Sequence, residues 1–198
     1  MDLGLSINWL NRNVGASAPE KYGGYYSWGE VETKSFYEWS TYKWRTDRII
    51  WKKYNTLEGN GPFDGKLVLD PEDDVASVVL GGGWRMPTDA ELTELVEKCT
   101  WEWTTLNGIP GYRVSGNSTG NSIFLPASGS WYLDKVRGEG KQALYWSSSL
   151  VEEDLTNAWR VYFNAKVHER GMYFRHRGFS VRPVIDRCMP SGHASENC

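Results

Sequence analysis

The sequence predicts an α+β fold: two or three helices in the first half, then a mostly antiparallel β second half. Three observations carry this. Helix-start chemistry occurs at only a few places, all before residue 100. Beyond residue 100, short β-type runs are split by turn residues. Eleven Trp, eleven Tyr and 21 Gly among 198 residues describe a short-stranded, loop-rich chain carrying large planar side chains.

Taken in order, the elements begin with a short helix expected around Ala18 to Tyr26. A second start is Asp70-Pro71-Glu72-Asp73-Asp74, with Asp70 as N-cap, Pro71 in the first helical position and acids in the first turn. The strongest is Met86-Pro87-Thr88-Asp89-Ala90-Glu91, where Thr88 and Glu91 have capping-box spacing. Leu92, Leu95 and Val96 then share one face, so this helix should run to about Cys99. Gly81-Gly82-Gly83 reads as a turn before a strand at Trp84-Arg85-Met86. Further strands are expected at Gly111–Ser115, Ser122–Ala127, Leu144–Ser148, Asn157–Asn164 and Phe179–Ile185. Residues 1–186 read as one domain. Residues 187–198 (RCMPSGHASENC) lose all periodicity and read as a disordered tail.

Bulk composition excludes some functions and leaves others. Hydrophobic residues make up 40% and charged residues 24%, with a formal net charge of -3. This gives no global attraction to nucleic acid or anionic membrane. No run reaches the roughly 18 apolar residues a membrane helix needs. MDLGLSINWL has no basic region followed by an apolar stretch, so no signal peptide is read there. Cys99, Cys188 and Cys198 do not form a disulfide framework. Cys99 reads as a buried free thiol, whereas a Cys188–Cys198 pair is left open.

Catalytic and metal signatures are sparse. His168 and His176 lie in one strand-rich segment, and His193 is in the tail. Without a His-x-x-x-His or Cys-x-x-Cys pair, no zinc site is expected. The acids at 70–74 lack the alternating oxygen ligands and the Gly of a calcium loop, and helix capping accounts for them. Gly81–Gly83 lacks a following Lys-Ser/Thr, and Ser147–Ser149 lacks a nucleophile-elbow context. The chain is therefore expected to be no enzyme and to hold no metal or cofactor.

Residues 158–178 differ from the rest. Val161, Phe163 and Val167 occupy one strand parity, as buried residues should. Arg160, Tyr162, Asn164, Lys166 and His168 occupy the other, followed by Arg170, Met172 and Phe174. From Trp159 to Arg187 there are seven Lys/Arg against two Asp/Glu, a local +5 on a chain of net -3. Arg, Tyr, Phe and Met side by side match the composition of interaction hot spots, so a recognition surface is expected here.

Several phrases carry a resemblance. They are Asp2-Leu3-Gly4-Leu5-Ser6, Asn13-Val14-Gly15-Ala16, Tyr26-Ser27-Trp28-Gly29-Glu30 and Gly83-Trp84-Arg85-Met86-Pro87-Thr88. Trp103-Thr104-Thr105, Ile123-Phe124-Leu125-Pro126-Ala127, Tyr145-Trp146-Ser147-Ser148-Ser149 and Gly178-Phe179-Ser180-Val181-Arg182-Pro183-Val184 complete the series. In this order, over about residues 2 to 185, the chain resembles the Fibrobacter succinogenes major paralogous domain family. That family is related to the formylglycine-generating-enzyme variety of the C-type lectin fold. The resemblance implies this fold, with two or three helices and short antiparallel sheets. It extends to the variable proteins of diversity-generating retroelements, in which a C-terminal segment is diversified around a fixed framework.

Trp159, Val161, Phe163, Val167, Arg175 and Gly178 then match framework positions. The diversified, ligand-binding positions implied are Arg160, Tyr162, Lys166, His168, Glu169, Arg170, Met172, Tyr173, Phe174, His176 and Arg177. The implied partner is a protein or glycan on another cell or surface, with no nucleic acid. The implied place is a bacterial cell surface or a phage particle. An undiversified surface or adhesion domain is the second reading. A sulfatase-modifying enzyme is disfavoured, because Cys188 and Cys198 lie beyond the last motif. Calcium-dependent sugar binding is disfavoured too, because neither Glu-Pro-Asn, Gln-Pro-Asp nor Trp-Asn-Asp occurs.

Overall fold

Helix α2 (Asp89–Lys98) starts where its capping chemistry predicts. In the computed structural model, which describes residues 1–46 and 50–187, the Glu91 N–H donates to Thr88 Oγ1 at 3.3 Å. The Thr88 N–H donates back to Glu91 Oε2 at 2.7 Å. Leu92 and Leu95 are buried on one face. Cys99 is extended, so the helix ends there and strand β2 (Cys99–Leu106) begins, an element the sequence reading did not anticipate.

Helix α1 (Val75–Leu80) corrects the second start: its N-cap is Asp74, not Asp70. Asp74 is buried and accepts from Ala76 N at 2.9 Å and Ser77 N at 3.0 Å, while its other oxygen accepts from Met86 N at 2.7 Å. Asp70 closes only the preceding turn, and its side chain is drawn away by Lys53 and Lys66. The helix expected at Ala18 to Tyr26 is absent. Lys21 N donates to Ala18 O in a single turn, and the chain then extends to pair Tyr26 with Phe179. Gly23 has φ +75° and a Cβ there would meet Val14 O at 2.3 Å, so the Gly23-Gly24 pair ends any helix.

The sheets are short and antiparallel. β2, β3 (Ile109–Gly116) and β4 (Ser122–Pro126) form one; β5 (Ser130–Tyr132) and β6 (Lys135–Arg137) form a hairpin. β7 (Gln142–Leu150), β8 (Asn157–Asn164) and β9 (His168–Phe174) form a third. β1 (Ile7–Trp9) pairs with β10 (Val184–Asp186), bringing together segments near the two ends of the described chain. Four of the expected strands fall on β3, β4, β7 and β8. Two expectations need correcting. Trp84–Met86 makes a single bridge, Arg85 to Val184. Of Phe179–Ile185 only the end is strand, because its backbone changes partner almost every residue, from Tyr26 to Leu144, Val14 and Leu10.

The β7–β8–β9 sheet divides the core. Ala143, Tyr145, Val161 and Phe163 join a cluster with β1, α2 and the β2–β3–β4 sheet. Leu144, Trp146 and Ala158 point the other way, into a cluster with Trp28, Tyr42, Tyr54 and Phe179. Two buried arginines tie the segment after β9 to the rest of the fold. Arg182 donates to Asn13 Oδ1, Leu10 O and Phe124 O, and burial lowers its pKa to about 10. Arg175 is enclosed by Trp28 and Trp51, each 4.6 Å from its guanidinium carbon, and donates to Tyr42 Oη, Tyr54 O and Leu155 O. Among the described residues no helix is long and apolar enough to cross a membrane. The expected tail is corrected at its first residue: Arg187 donates to Leu5 O at 2.9 Å and Asp2 Oδ2 at 2.8 Å. Residues 188–198, and with them the Cys188–Cys198 question, lie outside the described residues.

Candidate functional site

The segment singled out in the sequence is a hairpin, and its turn decides which side chains meet. Asn164 Oδ1 accepts from Lys166 N at 2.8 Å and Val167 N at 3.2 Å, ending β8 at residue 164. Phe163 then pairs with His168, Tyr162 with Glu169, Arg160 with Gly171 and Ala158 with Tyr173. Paired residues share a face. The simple even-number parity therefore holds only along β8 and reverses beyond the turn. Val167, expected to be buried, sits in the turn and is 44% exposed.

The eleven expected contact residues separate accordingly. Arg160, Tyr162, Glu169 and Tyr173 line one cleft of about 280 Å³. Its other walls are residues the sequence reading missed: Ser130 on the β5–β6 hairpin, and Gln142 and Leu144 on β7. Arg177 adjoins this face, its guanidinium 3.4 Å from the Tyr132 ring centroid and 5.4 Å from that of Tyr173. His168, Arg170 and Met172 belong to the opposite face. His168 stacks on Trp101, with ring centroids 4.6 Å apart and an interplanar angle of 3°. Arg170 lies 3.6 Å over Trp159 and grips Asp89 with two bonds of 2.6 Å at the start of α2. Met172 is exposed on that side, and Lys166 is exposed in the turn.

Phe174 and His176 lead from the hairpin back to the scaffold. His176 is buried, not outward, with its ring 4.3 Å from Trp39 and 5.9 Å from Phe174. Trp39 is presented by a short 3-10 turn, Trp39–Thr41, which the sequence reading did not resolve. Neither ring nitrogen of His176 has a hydrogen-bond partner. Burial, with Arg177, Lys34 and Arg45 nearby, lowers its pKa to about 3, so it stays neutral.

Matched against family models, curated proteins and solved structures, the chain finds no counterpart.

The cleft's electrostatics centre on Arg160. Gly171 opposite has no side chain; a Cβ there would come within 3.1 Å of the guanidinium, which occupies that space. Arg160 Nε and Nη1 are buried without a hydrogen-bond partner. Its nearest carboxylate is Glu169 at 3.8 Å, beyond hydrogen-bond length. Burial lowers the Arg160 pKa, and Glu169 opposes this. Tyr162 accepts from Asn164 Nδ2 at 2.8 Å and reaches Gln142 Oε1 at 3.4 Å, which fixes one wall.

Other groups with chemical potential are already engaged. Asp70, Glu72 and Asp73 are the one acidic cluster with metal-like geometry among the described residues. Lys53 Nζ lies 2.6, 3.2 and 2.6 Å from their oxygens, so an ammonium already occupies the centre. Capping, the sequence-based account of these acids, applies to Asp74 alone. Cys99 is a free buried thiol whose pKa burial raises to about 11, leaving it protonated and unreactive at neutral pH.

Proposed function

We propose that the chain is a non-enzymatic ligand-binding protein whose contact surface is the cleft face of the β8–β9 hairpin. The scaffold reading is a C-type lectin fold of the formylglycine-generating-enzyme-like variety, and the outward residues on this face are the positions open to diversification. The observation that carries the binding reading is the division of one hairpin into two roles. Val161 and Phe163 are buried on one face of β8, while Arg160, Tyr162, Glu169 and Tyr173 line an open cleft on the other. Side chains on such a face can change without disturbing the core, which a display surface requires.

The framework phrases support the scaffold reading, since Trp28, Trp146, Phe179 and Arg182 are all buried. In this reading the partner is a protein or glycan on another cell or surface, and the chain acts at a bacterial surface or on a phage particle. Arg170, His168 and Met172 drop out of the contact set, because the turn directs them to the other face.

Two tests bear on this. A ligand selected by panning a displayed random peptide library should lose at least tenfold in affinity to a Tyr173→Ala/Arg177→Ala variant. It should bind Arg170→Ala unchanged, although that variant loses the Asp89 pair and about 1 kcal/mol of stability. Equal loss in both variants would remove the reading. In the genome, diversification predicts an adjacent reverse transcriptase gene and a near-identical repeat spanning codons 159–178. A gene with neither leaves a fixed-partner adhesion domain.

A further inference from the structure

Among the described residues, five basic or imidazole side chains keep a buried donor or acceptor without a protein partner: Arg45, Arg160, Arg175, Arg177 and His176. Arg45 and Arg175 lie against tryptophan rings. Such groups cost roughly 1–3 kcal/mol each when unmatched, so those that border an open cleft call for a function. His176 is sealed between Trp39 and Phe174 and cannot reach a ligand. Arg160 and Arg177 differ: one lines the cleft, and the other flanks its Tyr173 wall.

We propose that this cleft takes a carboxylate side chain of a partner protein, with the Arg160 guanidinium as its donor and Arg177 adding positive charge beside the Tyr173 wall. This rests on the ligand-binding reading above and narrows it to one chemistry. A guanidinium presents N–H donors in a planar fork that matches the two oxygens of a carboxylate. Arg160 is held in place by the empty side of Gly171 and by Tyr162, whose ring centroid is 5.4 Å away. The Arg177 guanidinium lies against the Tyr132 ring, so neither side chain needs much ordering on binding.

Glu169 acts as a weak internal stand-in. At 3.8 Å it tempers the positive field without satisfying the donors, and its side chain is 57% exposed, free to move aside. The lining favours a protein side chain over an acidic sugar. A sugar ring brings several hydroxyls, and Ser130, Gln142 and Glu169 are the polar groups other than Arg160 and the tyrosines that could meet them. Gln142 is already in contact with Tyr162. Leu144 and the tyrosine rings suit the apolar stem of an acidic side chain and the residues flanking it.

The test uses the described protein immobilised and panned with a displayed random dodecapeptide library at physiological salt. Recovered peptides should share an Asp or Glu position and bind Arg160→Gln at least tenfold more weakly. Arg160→Lys, which keeps the charge and loses the fork, should fall between the two. Glu169→Gln should bind the same peptides several-fold more tightly, a gain that damage to the fold does not produce. Arg160→Gln removes a buried unmatched charge, so its thermal midpoint should stay or rise. Recovered peptides without a shared acid, or an unchanged affinity for Arg160→Gln, would overturn the proposal. So would binding of trigalacturonate that depends on Arg160 while no acidic peptide binds. Neutral peptides that still fail against Tyr173→Ala/Arg177→Ala remove the carboxylate and leave the ligand-binding face standing. Peptides indifferent to all these variants remove both.

Discussion

His176 shows how far a residue's type can mislead about its place. The family resemblance implies that it is one of the outward contact residues. In the fold it lies against Trp39, a residue 137 positions away that no local pattern connects to it. Its pKa is lowered from an ordinary 6.5 to about 3, chiefly by burial. The unfolded chain therefore binds a proton that the folded chain refuses. The stability it contributes is present above about pH 6.5 and is lost as pH falls from there toward 3. His168, lowered by burial as well, acts in the same direction. Between pH 7 and 5 most carboxylates remain ionised, so the imidazoles dominate that window. The thermal midpoint should fall by a few degrees over it. His176→Phe should flatten the fall and raise the midpoint, since it also removes two unmatched nitrogens. A slope identical to the parent's would contradict this assignment. Arg170 gives the opposite lesson: its type was right for a surface, and its partner Asp89 was visible only as a helix-start acid.

At the scale of elements, what the sequence made legible was local chemistry. The Thr88–Glu91 box and the strands at 111–115, 122–127, 144–148 and 157–164 depend on neighbours a few residues apart, and they are found where expected. What it hid depended on the turn. Strand parity marked Val161 and Phe163 as buried, yet it could not register that a turn at 165–167 reverses the alternation for everything after it. Three of the eleven expected contact residues, His168, Arg170 and Met172, fall on the other face for that reason. Similarly, Asp70 and Asp74 are both acids placed before an apolar run, and their partners outside the helix, Lys53 and Lys66 for Asp70 and Met86 N for Asp74, determine which one caps α1. Asp74→Ala should lose about 2–4 kcal/mol, combining the cap with an unmatched Met86 N–H. Asp70→Ala should cost less, because Asp73 still holds Lys53. Chemical denaturation of both variants orders them, and a larger loss at Asp70 would reverse the capping assignment.

Across the whole molecule, the β7–β8–β9 sheet acts as a partition with an apolar cluster on each side and a small open cleft between it and the β5–β6 hairpin. The ordered phrases lie largely in the partition and its supports. Phe179, stacked on the buried Trp146, packs against the Tyr173 wall of the cleft. Ser130, Gln142 and Leu144 could not be assigned to the site from sequence, since they come from separate elements and each is an ordinary residue alone. The clearest trial of the central claim is a hydrogen-exchange footprint of the protein with and without a panned ligand. Protection confined to residues 130–137, 142–144 and 157–177 is the predicted result. Protection centred instead on α2 and the Arg170–Asp89 side, or none in the hairpin, would contradict the assignment of this face.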